Sequence, residues 1–143
     1  MAEIRPTFSV LMFPGHHLPE HYKGLVFGNW MTSLKASNDF FRLIDRTYYK
    51  KMQKLNIERI LNHSLSIVRL AALSDDHDVV LGWSLIQGNT LHYVYVNTDL
   101  RGQGIATKLV PCPLDIMCIT AISRPATSVW NKKLPHAIFT PPI

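Results

Sequence analysis

The sequence has two cysteines, Cys112 and Cys118, and no more. A pair is too few for a disulfide framework or a four-cysteine zinc site, so both read as thiols of a cytoplasmic protein. No apolar run approaches the roughly 20 residues of a membrane span. The start, Met1-Ala2-Glu3-Ile4-Arg5-Pro6, lacks the charged-then-apolar layout of a signal peptide. Internal repeats, low-complexity tracts and linkers are absent. Charged residues are sparse at 17% beside 47% apolar ones, which excludes a disordered chain and a charge-rich coiled coil.

What remains is a chain of 143 residues, the length of one domain with a core of its own. We expect a single domain over 1–143. Lysine plus arginine is 15 and aspartate plus glutamate 10, a net charge of +5. That excess favours anionic ligands but falls far short of a DNA coat.

Phe8-Ser9-Val10-Leu11-Met12-Phe13 is an apolar run stopped by Pro14-Gly15, and reads as a first strand. From about Glu20 to Lys35, Leu25, Val26, Trp30, Met31 and Leu34 fall on one helical face, with Gly24 and Gly28 as weak points. Ser37, Asn38 and Asp39 offer caps for a second helix opening at Phe40-Phe41. Along it, Tyr48, Met52, Leu55, Ile60 and Leu61 are expected on the buried side, with Lys50, Lys51, Gln53, Lys54 and Arg59 on much of the rest. Asn62-His63-Ser64 ends it. The period then changes. Leu65–Leu73, Val79–Ile86 and Thr90–Val96 read as three strands. The turns Ser74–Asp78 and Gln87–Asn89 join them into an antiparallel meander. A helix within Arg101–Val110 is cut short by Pro111 and Pro113. Asp115–Ile122 reads as a buried strand, Thr127–Lys133 as a short helix and His136–Thr140 as a last strand. The expected class is α+β, a curved, mostly antiparallel sheet flanked by helices, with a shortened C-terminal part.

One segment carries chemistry. In Leu91–Leu109 a strand runs into a loop with two glycines, Gly102 and Gly104, and a helix starts inside that loop. The first amides of a helix have no internal partner and point outward, with the positive end of the helix dipole behind them. Glycines let the backbone approach an anion, and Arg101 adds a charge. The construction suits a diphosphate. It is not the Rossmann pattern, which has a third glycine and a parallel βαβ unit, nor a P-loop, since no Gly-Lys-Ser/Thr follows.

The stretch Arg101-Gly102-Gln103-Gly104-Ile105-Ala106, five positions after the strand end Val96, resembles the acetyl-CoA signature of the GCN5-related N-acetyltransferases (GNAT), Arg/Gln-x-x-Gly-x-Gly/Ala. The preceding Leu81-Gly82-Trp83 and Leu91–Val96 fit the same context, and the likeness is strong from about Leu65 to Leu109. The resemblance implies a GNAT-like domain that takes acetyl-CoA as acyl donor. Backbone groups of Val94, Tyr95 and Val96 would bind the pantetheine arm as an added strand. Amides of Arg101, Gly102, Gln103, Gly104, Ile105 and Ala106 would hold the pyrophosphate, and Thr107 would add a hydroxyl. The acetyl carbonyl would lie beside Val94–Val96, with a strand N–H as oxyanion donor.

The implied reaction is direct attack of a neutral primary amine, small molecule or protein lysine or N-terminus, on the thioester. A base must take the amine's proton. His92, four residues before Val96, is the candidate, because an imidazole accepts a proton at neutral pH. The alternative is a histidine that is merely a sheet residue facing solvent or core. The family's tyrosine acid for the leaving thiolate has no counterpart: no tyrosine follows Tyr95, and Trp130 stands near its place. An indole N–H is no acid.

Three further features are expected to be bland. His16, His17 and His21 read as exposed loop histidines rather than metal ligands, and no metal site is expected. The lysines of the second helix read as a solvated face rather than a nucleic-acid contact. Phe27, Trp30, Phe40, Phe41, Tyr48 and Tyr49 read chiefly as core. A lone terminal strand seeks an edge, which leaves room for a homodimer through the C-terminal strand. The competing functional reading is a GNAT-fold protein that binds CoA or a protein partner without turnover.

Overall fold

A computed structural model describes residues 7–37, 43–100, 104–111, 116–119 and 138–139. In chain order they form β1 (Phe8–Pro14), a 3-10 turn (Gly15–His17), α1 (Glu20–Ser37), α2 (Arg46–Leu61), β2 (Ser66–Leu73), β3 (Asp76–Gln87), β4 (Thr90–Val96), a 3-10 turn (Thr98–Leu100), α3 (Ile105–Leu109), β5 (Cys118–Ile119) and β6 (Ile138–Phe139). The strands make one sheet in sequence order. β1 to β4 are antiparallel, and β5 and β6 join in parallel. This is the expected α+β class with a mostly antiparallel sheet. Among the described residues no helix is long and apolar enough to cross a membrane.

The meander turns are tighter than their composition implies. Leu73 pairs with Asp76, so Ser74-Asp75 alone is the turn and Asp76, His77 and Asp78 belong to β3. These residues are exposed at the hairpin tip, where nothing apolar is required of a strand. Gln87 likewise lies in β3, and Gly88-Asn89 is the second turn. Gly88 takes φ +59°, the positive value needed at the first central position of a two-residue hairpin loop.

The second helix departs most from expectation. Ser37 is the last residue of α1 rather than a cap, and α2 opens at Arg46. Its N-cap is Asp45, whose Oδ2 accepts the Tyr48 N–H at 3.1 Å. Asn38 to Arg42, with Phe40 and Phe41, lie outside the described residues. The buried face of α2 is Tyr49, Gln53, Ile57, Ile60 and Leu61, while Tyr48, Met52 and Leu55 are exposed. Two stripes one residue apart both have helical spacing. The buried one was hidden by a polar member, Gln53. Asn62 closes the helix, its N–H donating to Glu58 O at 3.0 Å.

The core is two-sided. On one face, Tyr22, Val26 and Trp30 of α1 and Ile57, Ile60 and Leu61 of α2 pack on Val68, Leu70, Trp83, Leu85 and Tyr93 of the sheet. On the other, Ile105 and Leu109 of α3 pack on Ala71, Leu81 and Val96. Val110 and Ile116 extend that layer over Ile86 and Leu91. Two faces must be apolar at once, which is why β2 to β4 read as nearly continuous apolar runs.

After α3 the described chain is brief. Of the strand expected over 115–122, Cys118–Ile119 is strand, with Ile116 buried ahead of it. Ile138–Phe139 pairs with β5 of its own chain, Cys118 opposite Ile138 and Ile119 opposite Phe139. The helix expected over 127–133, Trp130 included, lies outside the described residues.

Candidate functional site

Peptide direction along β4 decides what its C-terminal half can bind. The Asn97 N–H donates to Leu81 O at 2.9 Å, so this is a hydrogen-bonded antiparallel pair. The alternation then directs the peptide groups of Tyr93 and Tyr95 into β3, opposite Leu85 and Trp83. Those of Val94 and Val96 point to the β5 side. Of the three residues expected to hold a pantetheine arm, Val94 and Val96 turn their peptide groups away from β3. Tyr95 spends its backbone on the β3 ladder.

On the β5 side the parallel register comprises Thr90 with Cys118 and Leu91 with Ile119. β4 runs on to Val96. Among the described residues the two strands are joined at the start of β4.

Eight residues, 97–104, separate the end of β4 from the start of α3. Its N-cap is Gly104 at φ +81°, left-handed backbone that disfavours a side chain. A Cβ added there would meet no described atom within 4 Å. Ile105 is buried and anchors the helix, Ala106 is half-buried, and Gly104 and Thr107 are exposed. Arg101, Gly102 and Gln103, the rest of the expected diphosphate loop, lie outside the described residues.

Two residues not singled out in the loop reading hold this junction together. Gly82 on β3 faces Val96 across the ladder. A Cβ there would come within 2.6 Å of Tyr95 O and 3.2 Å of Val96 Cα, with the Leu109 side chain at 3.3 Å. A glycine inside a strand is a sequence signal of such close approach. Ser84 is fully buried, and its hydroxyl donates to Leu109 O at 2.7 Å, satisfying one of the carbonyls left over at the end of α3. The same face of β3 thus contacts both the backbone of β4 and the C-terminus of α3.

His92 is buried, 7% exposed, and occupies a β-bulge: Tyr93 pairs with Leu85 and Leu91 with Ile86, leaving His92 as the extra residue. Nε2 lies 2.8 Å from Gln87 Oε1. An amide oxygen only accepts, so Nε2 carries the hydrogen and Nδ1 the lone pair. Burial, then the positive surroundings of Arg59 and His63 at the end of α2, push its pKa down to about 4. His92 is neutral at pH 7.

Between α1 and the sheet, Trp30 stacks on Tyr93 at 5.3 Å between ring centroids, and Trp83 stacks on Tyr93 at 5.5 Å. The Tyr93 hydroxyl shares a 2.5 Å hydrogen bond with Ser33, which also donates to Asn29 O. This cluster ties the α1 side of β4 to α1 and β3. His16 and His17 are exposed in the 3-10 turn, and His21 stands 4.0 Å from Asp78 on the surface.

No protein-family model and no curated protein sequence matches the chain. Solved structures do. A protein of Pyrococcus furiosus described as an acetyl transferase superimposes with a TM-score of 0.57, at 14% identity over 94% of this chain and 84% of that one. The aminoglycoside N-acetyltransferase AAC(6')-Iy, solved with CoA, gives 0.51 at 14% identity over 100% and 96%. The apo form of YjaB from Escherichia coli, of which this chain spans 63%, gives 0.47 at 20% identity over 73% of this chain. The fold is that of the GNAT-type acetyltransferases.

Proposed function

We propose that this chain is one GNAT-like domain acting as an acetyl-CoA-dependent N-acyltransferase on a primary amine, either a small molecule or a protein lysine or N-terminus. The observation that carries the reading is the direction of the Val94 peptide groups, turned away from β3, next to a left-handed Gly104 at the head of α3. An extended pantetheine arm would add to β4 as a strand does, through those peptide groups. The amides from Arg101 to Ala106, with the Thr107 hydroxyl, would take the diphosphate.

In the proposed reaction a neutral amine attacks the thioester carbonyl carbon. A C–N bond forms, the carbonyl pair moves to oxygen, and the Val94 N–H stabilises that oxyanion. The C–S bond then breaks and the CoA thiolate leaves, taking a proton from solvent. The amine's surplus proton goes to the neutral His92 imidazole. His92 is two residues from Val94, about 7 Å along the strand, so the proton would reach it by way of water. A pKa near 4 makes His92 a weak base. It accepts the proton only once C–N bond formation has acidified the nitrogen.

That depressed pKa also favours a second reading, a CoA- or partner-binding protein without turnover. Two measurements separate the two: calorimetric titration with acetyl-CoA, and thiol release with a panel of amines. Affinity with amine-dependent thiol release supports the transferase. Affinity with no release on any amine supports the second reading. Absence of affinity at saturating acetyl-CoA removes both.

A further inference from the structure

β1 ends the sheet. It pairs with β2 on one side, and no described strand lies on the other. The Ser74 N–H donates to Thr7 O at 2.9 Å, which marks Thr7 and Ser74 as a hydrogen-bonded pair. The β1–β2 register continues from there without a shift. Ser9, Leu11 and Phe13 therefore turn their peptide groups into β2, and Phe8, Val10 and Met12 turn theirs outward. Pro14 adds an outward carbonyl but no N–H.

Soluble proteins blunt such an edge with charges, bulges, prolines or a covering element. From Phe8 to Met12, β1 has no charged residue, no bulge and no proline. Val10 is 37% and Met12 58% exposed, so no described element covers them.

We propose that β1 pairs antiparallel with β1 of a second copy of this chain, across a two-fold axis at Val10, which joins the two sheets edge to edge. The register is set by the strand itself. With the axis at Val10, Phe8 faces the second copy's Met12 and Val10 faces its equivalent, giving three pairs in which both residues donate and accept. Pro14 then falls beyond the paired segment. With the axis at Leu11, Phe8 would face Pro14, which has no N–H to give. An uncharged strand does not repel its own copy, whereas the surplus lysines of this basic chain lie elsewhere, at Lys50, Lys51 and Lys54 on α2. A stable interface buries about 1,600 Å², and one short strand pair covers less, so the dimer is a weak one that forms at high protein concentration.

Sedimentation equilibrium of the full chain from about 10 to 500 µM tests this association. The weight-average mass is expected to climb from 16.3 kDa toward twice that value. Val10→Lys and Met12→Lys place charges on exposed side chains and leave the β2 ladder intact; each should weaken association at least about tenfold while the far-UV spectrum and melting temperature stay near wild type. Hydrogen exchange should slow with concentration at the amides of Phe8, Val10 and Met12. A mass fixed at the monomer value, a dimer insensitive to both lysine variants, or a dimer whose protection falls outside β1 would each overturn the proposal. None of these readouts depends on acetyl-CoA, so the proposal stands or falls separately from the transferase reading.

Discussion

Gln87 holds His92 across the β3–β4 hairpin, Oε1 to Nε2 at 2.8 Å, with the ring neutral and buried. In the unfolded chain an imidazole titrates near 6.5, and in the fold near 4. Below 6.5 the unfolded state binds the proton that the folded state refuses. Stability from this residue is full above pH 6.5 and falls as pH drops toward 4. Urea unfolding across that window should show the loss, and His92→Gln should flatten it. An unaltered slope in the variant would mean other groups set the acid limit.

His92→Gln also separates chemistry from binding. Turnover with amines should fall at least tenfold at neutral pH, while calorimetric affinity for acetyl-CoA changes less than about twofold. Equal losses in both would assign His92 to the shape of β4 rather than to proton transfer.

Gly104 is set by conformation rather than by space. At φ +81° any L side chain costs roughly 1–2 kcal/mol, although no described atom stands within 4 Å of where a Cβ would go. Gly104→Asn, which tolerates the left-handed region, should retain CoA binding better than Gly104→Val. Gly104→Glu adds a carboxylate where the diphosphate is proposed and should abolish it. Isothermal titration of the three variants gives the ranking, and unchanged affinity in Gly104→Glu would remove the diphosphate assignment.

Gly82 is the reverse case, set by space. An added methyl would collide with Tyr95 O and Val96 Cα, both backbone, and neither can rotate aside. Gly82→Ala should push the end of β4 away from β3, lowering the melting temperature and acetyl-CoA affinity together. Nuclear magnetic resonance shifts confined to Val94–Asn97 and α3 would trace the displacement.

Ser84→Ala removes the donor to a buried carbonyl, that of Leu109. The expected loss is about 1–3 kcal/mol in denaturant unfolding, because the carbonyl is left without its partner. Ser84→Thr keeps the hydroxyl and should recover part of it. Equal stabilities of Ala and Thr variants would show that the hydrogen bond contributes nothing.

Much of this architecture is legible from residue order. β1, the meander and the clipped α3 follow from apolar runs, turn residues and Pro111. Tyr48 and Tyr49 mark the limit: adjacent tyrosines lead two competing stripes on α2, and only packing against α1 chooses Tyr49, whose hydroxyl reaches Met31 O at 2.8 Å. The cap at Asp45 was similarly masked by the more obvious Ser37–Asp39 cluster. At the site, the glycine at 104 and the strand before it are visible in sequence. The bulge at His92 is not, because it depends on the register of β3 opposite. Nor is the Ser33–Tyr93 contact, between residues far apart in the chain.

The two-residue turns at Ser74-Asp75 and Gly88-Asn89 have a kinetic consequence. β2, β3 and β4 meet across short loops, so their closure entropy is small and the meander can nucleate early. β1 can dock on β2 only after the chain between them, α1 and α2 included, has been gathered in. A nascent molecule therefore presents β2 as a bare edge before β1 arrives, and mutations in β1 should speed unfolding more than they slow folding.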